Sequence, residues 1–218
     1  MAAVQQQIPE AIQEKISLFT TETVLRKFQI GTQTDTLYVN LNYLAELSEY
    51  FHIIRTGSYT ENHKEKVVLD DVFTDELVLF LSYVCPEGFE FDRTINQHNV
   101  SSLVYFSDRF IFPWVKQDVK KYLKSDEFKE EQYDTESLIQ LCYLLHTQSY
   151  AAADTDPVFK KIARLSDVSL VDKAVETIPD TTVRPYFNER IIHFRPYLYQ
   201  PRPQSFFDWN DTRARLFF

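Results

Sequence analysis

Tyr43-Leu44-Ala45-Glu46-Leu47-Ser48-Glu49-Tyr50-Phe51, with Ile54 three residues further on, is the stretch from which the fold is read. Leu44, Leu47, Ser48, Phe51 and Ile54 recur at helical spacing. The pattern predicts an amphipathic helix over residues 41–55, with Gly57 as its C-terminal stop. Immediately before it the period is two. Arg26, Phe28 and Ile30 alternate with Leu25, Lys27 and Gln29, and Leu37 and Val39 alternate with Tyr38 and Asn40. Residues 31–35 supply a turn, so residues 24–40 are expected to form a β-hairpin.

Working outward, Pro9 suits a first helical turn, and Ile12, Ile16 and Phe19 mark one face of a short helix over residues 9–19. After the polar residues 58–66, Val67-Val68-Leu69-Asp70-Asp71-Val72 reads as a strand. Thr74 is a candidate cap for a helix faced by Leu77, Phe80, Leu81 and Val84 and ended by Pro86. A helix carrying Val100, Leu103, Val104, Ser107, Phe110 and Ile111 is expected to halt before Pro113. Another follows over residues 115–125, with Val119 and Leu123 on its face. The charged residues 125–136 are expected to form a short connector or a helix start. Three more helical patterns come next, over residues 138–145, 158–165 and 170–178, the second after the turn-like residues 151–157 and the third capped by Ser166. Residues 179–218 carry six arginines against four acidic residues and are rich in proline and aromatics. Disordered tails are poor in aromatics, so this segment is expected to pack on the body or dock on a partner.

Composition narrows the function classes. The chain has 218 residues and is 44% hydrophobic with 18 Phe and 13 Tyr, enough for a core in one domain plus an extension. Three glycines are too few for loops that approach a phosphate closely, and a charge of −9 disfavours a nucleic-acid binder. Cys85 and Cys142 lie in apolar patterns and read as buried thiols of a reducing compartment. No apolar run approaches the ~20 residues of a membrane span, and no secretory leader is evident. The sequons at Asn99 and Asn210 are therefore read as chance matches. The expected location is intracellular, in cytoplasm or nucleus.

No catalytic constellation is legible. The five histidines are scattered, and no Cys-x-x-Cys, Gly-x-Ser-x-Gly or Walker pattern occurs. Asp70 and Asp71 point to opposite faces if they lie on a strand, and read as a solvated face or a strand end. Cys142 and His146 share a helix face, but read as a buried thiol beside a partly exposed ring. No enzyme, cofactor or metal is expected.

The order hairpin–helix–strand–helix–helix–helix resembles the BTB/POZ domain, an α+β fold of a small sheet and a cluster of helices. Residues 43–51 are similar to the family's helix with a leucine–alanine pair, a serine and a tyrosine–phenylalanine pair. Tyr59-Thr60-Glu61 resembles its aromatic–x–glutamate loop, residues 67–72 its hydrophobic strand ending in Asp-Val, and residues 103–110 its leucine-rich helix. Asn40, where most members carry histidine, and Cys85-Pro86-Glu87 depart from the pattern. The resemblance implies a division into an N-terminal helix (1–24), the BTB/POZ domain (25–124), a helical extension like the BACK segment of many adaptors (125–178) and a C-terminal segment (179–218).

It further implies a protein–protein interaction module: a homodimer held through Ile12, Ile16 and Phe19, adapting a client to a cullin-3 ubiquitin ligase contacted by Tyr59, Thr60 and Glu61. The alternative is a scaffold that joins a fixed complex without cullin. Phe206, Phe207, Trp209, Arg213 and Arg215 are the candidate client surface, because Trp, Tyr and Arg dominate interface hot spots. Neither nucleic acid nor membrane is an expected partner.

Overall fold

The computed structural model describes residues 10–57, 65–85, 93–165 and 167–195. Helix α1 (Glu10–Thr20) leads into strands β1 (Phe28–Gly31) and β2 (Thr36–Val39), which pair antiparallel with Phe28 opposite Val39 and Ile30 opposite Leu37. These four side chains are buried on one face, as period two requires. Strand β3 (Lys66–Val68) joins β1 in parallel, giving the order β2-β1-β3. A parallel neighbour needs a crossover, and helices α2 (Leu41–Leu47) and α3 (Glu49–Thr56) lie within it.

The helix expected over residues 41–55 is in fact two, broken at Ser48. Its backbone is extended (φ −141°, ψ 128°), and its hydroxyl accepts from Phe51 N–H to cap α3. The same Oγ donates to the carbonyl of Phe110, 62 residues away. A serine that caps the next segment cannot also continue the previous one. Asn40 caps α2 by accepting from Tyr43 N–H at 3.2 Å, a direct use for the residue that departs from the family pattern. Gly57 does end α3, but at φ −77°, so the stop uses none of glycine's left-handed freedom.

Helix α4 (Thr74–Val84) is apolar nearly all round, with Leu77, Val78, Phe80, Leu81 and Val84 fully buried, and is the hub on which α1 and α5 (Val100–Arg109) pack. Thr74 does not cap it. The residue is the first of the helix, and its hydroxyl bonds Thr32, Thr34 and Asp35 of the β1–β2 turn instead. Pro113 does not simply halt a helix; it starts α6 (Pro113–Lys124), where its missing N–H costs nothing. Phe51, Phe80, Phe106, Phe110 and Phe112 meet between α3, α4 and α5 with ring centroids 5.2–6.3 Å apart. That cluster takes five of the 18 phenylalanines.

The C-terminal half is helical: α7 (Asp126–Glu130), α8 (Thr135–Thr147), α9 (Ala152–Ala163), α10 (Val168–Glu176) and α11 (Arg184–His193). Helix α9 includes the residues read as a turn and runs through Pro157. Its first turn is fixed by buried Asp154, which pairs with Lys120 at 3.1 Å and Lys124 at 2.7 Å on α6. The cap of α10 is Asp167, accepting from Ser169 and Leu170 N–H, while Ser166 lies outside the described residues. Helix α11 was not foreseen, because the prolines after residue 178 read as irregular. Pro185 sits in its first turn, where proline is tolerated. Phe187 and Ile191 bury the helix on α9, and Arg190 pairs with Asp156 at 2.5 Å.

Candidate partner-binding face

The α2–α3 junction and the α5–α6 turn sit side by side and leave a groove of about 330 Å³ between them. Its apolar side is Ile111 with Pro113 and Leu47, and its polar rim is Glu46, Glu49 and His52, all three exposed. Ile111 sets the geometry. The run Phe110-Ile111-Phe112-Pro113 cannot bury three consecutive large side chains in one direction. Phe110 and Phe112 both enter the phenylalanine cluster, with exposures of 1% and 0%, whereas Ile111, expected on the apolar helix face with Phe110, lies beyond the helix end at Arg109 and is turned outward with 44% of its surface exposed.

This turn requires φ +56° at Ile111. A β-branched side chain there is strained, and such strain persists only where the surroundings over-determine it. Here they do: Ser48 Oγ holds the Phe110 carbonyl, Phe112 N–H donates to Ser107 O at 2.7 Å, and Ile111 N–H to Asp108 O at 3.2 Å. The turn is tied from below by Arg109, whose guanidinium grips both oxygens of Asp71 at 2.6 and 2.8 Å and also donates to Tyr105 Oη. Hydrogen bonding from Arg109 holds the Asp71 carboxyl below the usual carboxylate range. Asp71, exposed just past the end of β3 as a solvated acid would be, is thus also a tertiary tie between the β3–α4 turn and α5. An exposed hydrophobe on a rigid, strained turn beside two carboxylates can seat an apolar anchor of a partner and orient its charges.

The residues singled out from the sequence fall elsewhere. Tyr59, Thr60 and Glu61 lie outside the described residues, beginning two residues beyond Gly57 at the end of α3. Phe206, Phe207, Trp209, Arg213 and Arg215 also lie outside them. On α1, Phe19 is buried in the chain's own core with Arg26 over its ring, and Ile16 is half-buried against that core. Ile12 is half-buried. Helix α1 thus packs on α4 and β2 of its own chain.

Cys142 is fully buried, which pushes its thiol up and keeps it protonated, while exposed His146 turns its ring to Tyr186 at 5.4 Å. Among the described residues no group of three His, Cys, Asp or Glu side chains is placed to hold a metal ion. No helix among them is long and apolar enough to cross a membrane.

Residues 26–127 match the model of the BTB/POZ domain family, and both walls of the groove lie inside the match. A Caenorhabditis elegans protein named BTB and MATH domain-containing protein 38 is 25% identical over 138 residues, covering 62% of this chain and 32% of the relative. BTB and MATH domain-containing protein 36 from the same organism is 29% identical over 91 residues, covering 42% of this chain and 27% of the relative. The chain spans about a third or less of the length of these curated relatives.

Proposed function

With residues 26–127 a BTB/POZ domain, a module of protein–protein interaction, we propose that this protein is a homodimeric adaptor joining a client to a cullin-3-type ubiquitin ligase. The observation that carries the reading is the outward, strained Ile111 in the groove beside α3, the helix from which the chain leads into Tyr59-Thr60-Glu61. In this reading Tyr59 and Glu61 add an aromatic anchor and a carboxylate, a hot-spot composition, to the contact made by Ile111.

In this reading residues 1–24 are a dimerisation arm that meets a second copy through half-buried Ile12 and Ile16, while Phe19, expected at the same interface, is spent in the chain's own core and anchors the arm, and residues 25–124 are the recognition domain. Residues 125–178 are a BACK-like extension, and residues 179–218 present Phe206, Phe207, Trp209, Arg213 and Arg215 to the client. The protein works inside the cell, without cofactor or catalysis of its own. The relatives' names pair a BTB with a second domain, which fits a module whose use is to connect.

The test is co-purification with cullin-3 of wild type, Ile111→Asp and the double variant Tyr59→Ala/Glu61→Ala. Retention by wild type and loss in both variants supports the reading. Failure of wild type to retain cullin at micromolar concentration leaves the scaffold role in its place. Light scattering after size exclusion tests the dimer, and a monomer at high concentration removes it.

A further inference from the structure

A second cleft lies on the other half of the molecule, away from the groove and beyond what the adaptor reading uses. It is about 200 Å³ in volume, between α6, α7 and α9. Its floor is apolar: Leu123, Phe128 and Pro157. Its rim is cationic, with Lys124, Lys129, Lys160 and Arg164 all exposed, and among the described residues no acidic side chain lines it. On a chain of net charge −9 this is a local inversion of sign.

The lining cations divide by what they already do. Lys161 is structural, its Nζ donating to the carbonyls of Phe128, Lys129 and Glu131 at the end of α7. Lys124 and Lys129 pair with Asp154 and Asp126. Lys160 lies over the Phe194 ring at 5.3 Å, and neither it nor Arg164 has a carboxylate partner among the described residues. One step behind Arg164, Arg195 is 7% exposed. Its Nε donates to the Ala163 carbonyl at 3.2 Å, and its Nη2 is buried with no hydrogen-bond partner among the described residues. The negative end of α9 favours basic residues in its last turn. It does not account for a buried, half-satisfied guanidinium beside two unpaired exposed cations over an apolar floor.

We infer that this cleft docks an acidic peptide segment of a partner protein, with one aromatic or large aliphatic side chain seated on part-exposed Pro157 and flanking carboxylates on Lys160 and Arg164. Charge complementarity carries the assignment of the occupant. A nucleic acid fits less well, because the overall negative charge opposes a polyanion and the floor aromatic is buried, leaving no ring face on which to stack a base.

The test is fluorescence anisotropy on the full chain with a labelled Asp-Glu-Glu-Phe-Glu-Asp probe. Controls are the same peptide with Gly for Phe, a Lys-for-acid version, and an oligo-deoxythymidine competitor. Saturable binding is expected, weakened about 10-fold or more by Lys160→Glu/Arg164→Glu and restored in Lys160→Arg/Arg164→Lys. It should also weaken between about 50 and about 300 mM salt and on loss of the Phe. Both substituted side chains are solvent-facing, and an unchanged melting curve separates lost binding from lost fold. Absence of binding overturns the inference, as does indifference to charge reversal in a variant that melts like wild type. Equal displacement by the oligonucleotide also overturns it. So does binding that appears only after removal of residues 196–218, which would make the chain's own tail the occupant. None of these outcomes depends on cullin binding.

Discussion

Replacing Ile111 by alanine and, separately, by glycine isolates the strain on which the partner-binding face rests. Both changes remove a side chain that is 44% exposed, so each forfeits roughly half of the ~1.5–3 kcal/mol of a fully buried isoleucine, about 1 kcal/mol. Alanine keeps a Cβ and with it the left-handed penalty of ~1–2 kcal/mol, whereas glycine sheds that penalty. Against this, glycine loses ~0.5–1 kcal/mol more backbone entropy on folding. Ile111→Ala is therefore expected to be about 1 kcal/mol less stable than wild type, and Ile111→Gly within ~0.5 kcal/mol of it. At an ordinary backbone position the order is reversed, with alanine the more stable by ~0.4–1 kcal/mol. The sign alone is decisive. Paired urea melts with a common m-value measure it, and in a chain of this size the two variants should differ by about 1–4 °C in Tm. Alanine more stable than glycine would refute the strained turn.

Other perturbations test the supports of the same architecture. Ser48→Ala removes the α3 cap and leaves the buried Phe110 carbonyl short of a donor, an expected loss of about 2–3 kcal/mol in denaturant melts. Phe187→Ala should cost ~3–5 kcal/mol if α11 is part of the core, and a change under ~1 kcal/mol would detach that helix from it. Burial works to raise the Asp154 carboxyl, and Lys124 and Lys120 outweigh it, so its folded pKa lies below the ordinary carboxylate value. Its contribution is then complete above the unfolded pKa of about 3.9 and lost as pH falls through the lower folded value. Asp154→Asn should lower stability at neutral pH and flatten the acid limb of a Tm-against-pH curve; an unchanged limb would remove the α6–α9 clamp.

The hairpin and the order of elements through α6 were legible because local periodicity and burial agree there: Phe28, Ile30, Leu37 and Val39 on a period of two, Leu103, Val104 and Phe106 on a helical one. What escaped was nonlocal. Ser48 keeps perfect helical spacing, and only the Phe110 carbonyl 62 residues away explains why the helix stops at it. Thr74 has the composition of a cap, but three polar groups of the β1–β2 turn compete for its hydroxyl. For the groove one signal was present and unused. Three apolar residues before Pro113 cannot all face inward, since the residue before a proline is held away from the helical region. In α11, Pro185 near the start and Arg190 near the end were consistent with a helix, but the surrounding prolines masked the apolar positions Phe187 and Ile191.

The central claim is most directly tested by titrating the purified chain with the N-terminal region of cullin-3 by calorimetry, alongside Ile111→Asp. Wild-type binding at a Kd of ~1 μM or tighter, weakened at least ~10-fold by a substitution that leaves the melting curve intact, is the result expected of an adaptor that uses this face. No heat of binding at micromolar concentrations, or equal affinity in the folded variant, would contradict it.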